Sequence, residues 1–143
     1  MRLLDFIFAT RPMLLLPIWT VYLVALHYHH ELSGGSFDIY DLVLLACLSL
    51  LAAGATYLNQ VFDYESDRIN RKVGFLQNGL LTMNQLQAGF IVASVIPLAV
   101  APFFSQFTFF LFAQLVFLAF AYSAPQLRLK DRAVWGLLTN AWG

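Results

Sequence analysis

The sequence predicts an all-α fold: a polytopic membrane helix bundle with four spans plus the start of a fifth. Three observations carry that expectation. Of 143 residues, 60% are hydrophobic and 11% charged, with a mean hydropathy of +0.71; a soluble domain is about 45–50% apolar and about 25% charged. The apolar residues fall in runs at about 12–29, 40–61, 86–104 and 107–124, each near the roughly 17–25 residues a helix needs to cross about 30 Å of hydrocarbon. These runs lack the alternation of a barrel strand, which leaves helices as the spanning form. Finally, all eight Lys and Arg lie in three places: Arg2 and Arg11 before span one, Arg68, Arg71 and Lys72 between spans two and three, and Arg128, Lys130 and Arg132 after span four. The other two connections carry none. Positive residues mark the cytoplasmic side, so the N-terminus and the 62–85 loop are expected there.

The elements follow in order. Pro12 suits a helix start, and the apolar run behind it continues to about His29 without a small-x-small cleavage site, so it reads as a retained span. Pro17 and Pro97 fall inside spans, where each should loosen helix hydrogen bonds and bend the axis. Cys47, the one cysteine, lies in an apolar stretch and reads as a buried inert thiol. The Asn and Gly residues of 68–85 suit turns, and its Leu residues are expected along the membrane surface. Pro125 stops the fourth span. Residues 133–143 read as the opening of a fifth, so the chain is expected to stop inside an element.

Formal charge balances at +0, which gives no basic face for nucleic acid. His27, His29 and His30 cluster on the side opposite the acids and read as interfacial rather than metal-binding. No Ser/His/Asp or Cys/His arrangement stands out.

Charge instead concentrates in NQVFDYESDRINRK, residues 59–72. If span two continues through it, Asn59, Asp63, Asp67 and Arg71 recur every fourth residue and share one helix face. Asp63 and Asp67 then offer hard oxygen ligands suited to Mg²⁺, which favours carboxylates with retained waters and substrate phosphates. Asn59 can accept from a metal-bound water or donate to a phosphate oxygen, and Glu65 points elsewhere. The same spacing also fits a solvated helix end with an Asp67–Arg71 ion pair. A second cluster, YSAPQLRLKDR at 122–132, supplies Arg128, Lys130 and Arg132 at the same membrane side, either as phosphate donors or as topology anchors.

The pattern Asn59, Asp63, Asp67 followed by a basic tail resembles the first aspartate-rich motif of the UbiA-type intramembrane prenyltransferases. The Arg11–Pro12 pair resembles that family's amino-terminal segment, and YSAPQLRLKDR followed by LLTNAWG resembles its YSxPPxRLK segment and next helix. The resemblance covers nearly the whole chain. It implies an enzyme that holds an isoprenyl diphosphate through Mg²⁺ and moves the prenyl group to an aromatic, lipid or terpenoid acceptor. Asn59, Asp63 and Asp67 would be catalytic, with Asp63 and Asp67 as metal ligands. Arg11, Arg68, Arg71, Lys72, Tyr122, Arg128 and Lys130 would bind substrate. Membrane lipids would surround the bundle.

Val73–Gly74 stands where the family usually carries Arg-Pro, and Gln126 where it carries a second proline. The resemblance further implies nine helices and a second aspartate-rich motif in the later half. Residues 1–143 are therefore expected to be a partial transmembrane domain, inactive alone. The alternative is a small non-catalytic membrane scaffold or a degenerate homologue. A cytidine-lipid phosphotransferase would want Asp-Gly and Ala-Arg elements that YESDRINRK lacks, and a transporter would want acids at midplane.

Overall fold

The computed structural model describes residues 2–132, 134–136 and 138, and the described chain is all-helical. It comprises α1 (Arg2–Ala9), α2 (Leu15–Ser33, entered through a 3₁₀ turn at Pro12–Leu14), α3 (Ile39–Ile69), α4 (Met83–Val100) and α5 (Gln106–Ser123). A further 3₁₀ turn, Ala101–Phe103, extends α4, and another, Leu129–Asp131, follows α5. Four of these helices are long and apolar enough to cross a membrane. Of the expected fifth span, residues 134–136 and 138 are helical; the rest lies outside the described residues.

Local sequence explains the helix starts. Asp38 and Asp41 form a reciprocal capping box on α3: Asp38 Oδ1 accepts from the Tyr40 and Asp41 amides at 2.8 and 3.1 Å, and Asp41 Oδ2 accepts from the Asp38 amide at 3.0 Å. Thr82 and Gln85 do the same for α4, and Ser105 caps α5 through the Thr108 amide at 3.0 Å. The 31 residues of α3 span about 46 Å at 1.5 Å per residue, more than the hydrocarbon requires. Its last turns therefore carry residues 59–69 past the apolar layer while remaining helical.

Helix α3 is also the centre of the bundle, packing against α2, α4 and α5. Its tightest approach is to α4, through small residues: a Cβ on Gly54 would lie 3.3 Å from Ala93 Cβ. Gly89 of α4 faces Tyr57 in the same way, with an added Cβ only 3.0 Å from the ring. The ring cannot retreat freely, because its hydroxyl donates to Phe6 O at 3.0 Å. Gly89→Val is accordingly expected to cost about 1–3 kcal/mol through overpacking, read as a lower unfolding midpoint in detergent.

Several expectations need correction. Pro17 is the third residue of α2, in the first turn, where amides have no intrahelical acceptor, so it removes no bond from the body of the span. Of the leucines after α3, Leu80 is exposed, but Leu76 and Leu81 are buried with Ala9, Tyr57, Val61 and Leu86 in one apolar cluster. The connection folds back over the helix ends rather than lying along a surface. Cys47 is buried as expected, beside Leu51, Ala101 and Phe112.

Helix α1 was not legible as a separate element. It packs against α3 at residues 56–60, whose side chains donate to carbonyls of its last turn and of Thr10 just after it. Tyr57 bonds Phe6 O, Gln60 Nε2 bonds Ala9 O at 2.8 Å, and Thr56 Oγ1 reaches Thr10 O at 3.4 Å. This docking fixes where the chain turns into α2, and so fixes Arg11.

Candidate functional site

A cavity of about 460 Å³ opens between α2, α3 and α5. Its walls are apolar: Leu14, Leu15 and Ile18 from the α2 side, Leu48, Leu51, Ala52 and Ala55 from α3, and Leu115, Leu118 and Ala119 from α5. Its polar lining is confined to one end and consists of Arg11, Thr56, Asn59, Tyr122 and Ser123. A T-shaped contact between Phe62 and Phe120, with centroids 6.2 Å apart, joins α3 to α5 beside that end. The geometry suits an amphiphile with an apolar tail and a polar head.

Beyond the polar end, the charged motif meets the turn that follows α5. Asn59 Oδ1 accepts from Lys130 Nζ at 3.0 Å and from Ser123 Oγ at 3.3 Å, and Lys130 Nζ also pairs with Asp63 Oδ1. With its oxygen doubly engaged, Asn59 has its NH₂ left to donate. Asp67 lies one turn further along α3 and pairs with Lys72 at 2.9 Å.

The helical stripe ends there. Helix α3 stops at Ile69, and Arg71 sits beyond it in the left-handed region at φ 53°. It does not continue the face of Asn59, Asp63 and Asp67, and Lys72 rather than Arg71 is the partner of Asp67. The chain reverses because Asn70 caps the helix through Ser66 O while the Lys72 amide bonds Asp67 O at 2.9 Å.

The other basic candidates are spread out. Arg68 pairs with Glu65 at 2.8 Å, both about two-thirds exposed, and Arg128 pairs with Asp131 at 2.8 Å in an exposed i,i+3 contact. Arg11 and Tyr122 do reach the cavity. Arg11 and Arg128 share the left-handed conformation of Arg71, at φ 54° and 43°, each at a chain turn beside a helix. At the opposite end of the bundle His30 Nε2 lies 3.4 Å from Asp41 Oδ2, tying α2 to the α3 cap.

Ser123, Thr56, Tyr57 and Gln60 were missed as contributors to the site or its support. Ser123 lies inside YSAPQLRLKDR and Gln60 inside NQVFDYESDRINRK; Thr56 and Tyr57 act across helices with no spacing signature.

The donor set is chemically fit for a hard cation. Asn59 and Asp63 already turn two oxygens toward one positive centre, the Lys130 ammonium, and Asp67 offers a further carboxylate on the same helix face. Among the described residues no group of three or more His, Cys, Asp or Glu converges as a metal cluster. Asp63 and Asp67 could hold a hard cation such as Mg²⁺ through one or two carboxylates, with the remaining positions left to water or a phosphate-bearing ligand.

No curated protein and no solved structure matches the chain. A family model described as the UbiA prenyltransferase family matches residues 14–142, a range that contains the cavity, the aspartate motif and the basic turn except for Arg11 at its edge. With four apolar helices, that match makes this an integral membrane protein, and the chain belongs to the UbiA prenyltransferase family.

Proposed function

We propose that the site serves Mg²⁺-dependent prenyl transfer from an isoprenyl diphosphate to an aromatic, lipid or terpenoid acceptor. The observation that carries this reading is the cavity: apolar walls lead to a polar end at Asn59, with Asp63 and Lys130 next to it. In this reading the tail lies against Leu51, Leu115 and Leu118, and the diphosphate lies at Arg11, Asn59 and Lys130. The C1–O bond of the donor breaks, its electron pair leaves with diphosphate, and C1 bonds to the acceptor, which loses a proton. When bound, Mg²⁺ would supply positive charge against the departing diphosphate. Lys130 and Arg11 add positive charge there, the Asn59 NH₂ donates to a phosphate oxygen, and the apolar walls keep water from the allylic cation.

Positive residues gather at the Asp63 end, which supports placing that end in the cytoplasm. Asp63 and Asp67 form one carboxylate pair, and the described residues bring no second pair to face it. We therefore expect the 143-residue chain to bind donor without completing transfer.

One observation favours the scaffold or degenerate alternative: Asp63 and Asp67 are each neutralised by a lysine, as structural acids would be. Labelled donors separate the readings. Mg²⁺-dependent retention of farnesyl diphosphate, with no retention of a cytidine-linked lipid, is expected. Retention indifferent to Mg²⁺ and to the diphosphate group would overturn prenyl transfer in favour of a scaffold.

A further inference from the structure

Lys130 stands where the motif's oxygens hold a cation. Its Nζ donates to Asn59 Oδ1 and Asp63 Oδ1, and Ser123 Oγ supports the same Asn59 oxygen. The side chains of Lys130 and Asp63 are only 13% and 21% exposed, so water screens the pair weakly. The companion pair differs: Lys72 is 66% exposed and Asp67 18%, which leaves the Lys72 ammonium in solvent and easily exchanged. The two lysines neutralise the two acids in different ways, one inside the site and one at its rim.

We propose that Lys130 is a resident counter-ion that exchanges partners when diphosphate arrives. Without the anion it holds Asp63 and Asn59, and its charge keeps a bare divalent cation out. With the anion present its ammonium shifts to a phosphate oxygen and releases both oxygens. An ammonium and a divalent cation cannot share one carboxylate without strong repulsion, whereas an added diphosphate compensates both. The flexible four-carbon stem permits the movement. Entry of cation and anion is thereby coupled, each favouring the other. This rests on the diphosphate reading above. The competing role for the same contacts is a permanent staple that pins the Leu129–Asp131 turn to α3.

The test uses the full chain in nanodiscs, with Mn²⁺ as a paramagnetic probe and inorganic pyrophosphate as the anion, each titrated alone and then together. For Lys130→Met and Lys130→Gln, Mn²⁺ alone is expected to bind about tenfold tighter or more, and pyrophosphate alone about tenfold weaker or more, where tenfold is 1.4 kcal/mol. A staple would leave pyrophosphate affinity unchanged, and that result, or Mn²⁺ binding no tighter than in wild type, overturns the exchange. In the wild-type chain, which depends on no variant folding, amine-reactive labelling of Lys130 should change with pyrophosphate and not with Mn²⁺ alone; the same labelling in both conditions also overturns it. Asp63→Asn separates the two levels. If Asp63-dependent Mn²⁺ binding in pyrophosphate persists while the Lys130 arms do not move, only the exchange fails; if it is absent from wild type, the diphosphate reading fails.

Discussion

Asp63→Asn is expected to weaken Mg²⁺-dependent binding of an isoprenyl diphosphate by roughly 30-fold or more. Truncating one member of a largely desolvated charge pair costs about 2–5 kcal/mol, and each 1.4 kcal/mol is about tenfold in affinity. Asp63, 21% exposed, would be such a member toward Mg²⁺ once the diphosphate has drawn Lys130 away. Asp67→Asn should cost less if it acts alone, because its partner Lys72 is mostly in solvent. Calorimetric titration of farnesyl diphosphate with and without Mg²⁺, on chains whose helicity matches wild type, checks both. Equal losses at the two positions would contradict a role for the different exposure of their lysine partners, 66% for Lys72 and 13% for Lys130.

Ala52→Phe is expected to act on the tail alone. Ala52 lines the cavity between Leu51 and Ala55, and a phenyl ring there would take up space that apolar chain would otherwise fill. At about 25 cal/mol per Å² of apolar surface, losing even about 60 Å² of tail contact costs about tenfold in affinity. Inorganic pyrophosphate, which has no tail, should bind this variant as it binds wild type. If both ligands weakened together, the cavity and the charged end would not be two parts of one site.

Much of this was readable from the chain because the relevant physics is local. Apolar run length gave three of the four spans to within about four residues at each end, whereas α3 continues to Ile69, well past the apolar run that ends at 61. The distribution of Lys and Arg grouped the motif with the turn after α5 at one end. The run from Asn59 to Asp67 held its helical register because α3 is longer than the membrane requires. Arg71 did not, since a cap at Asn70 and a left-handed turn decide the reversal, and neither is fixed by four-residue spacing. The partners of the acids were also hidden. Lys130 meets Asp63 across 67 positions of chain, through the packing of α5 on α3, and no periodicity reports such a contact. Helix α1 escaped notice because it is too short to span and depends on Tyr57 and Gln60 to hold its carbonyls.

A single amphiphile is expected to place its head at Asn59 and Asp63 and its tail in the cavity between α2, α3 and α5. An isoprenyl diphosphate carrying a photoreactive group near the tail end tests it most directly, with crosslinked peptides mapped by mass spectrometry. Labelling is expected at cavity positions such as Leu48, Leu51, Leu115 and Leu118, dependent on Mg²⁺ and suppressed by excess pyrophosphate. Labelling concentrated on outward residues such as Ile91 and Phe110, which are 57% and 67% exposed, and indifferent to pyrophosphate, would contradict it.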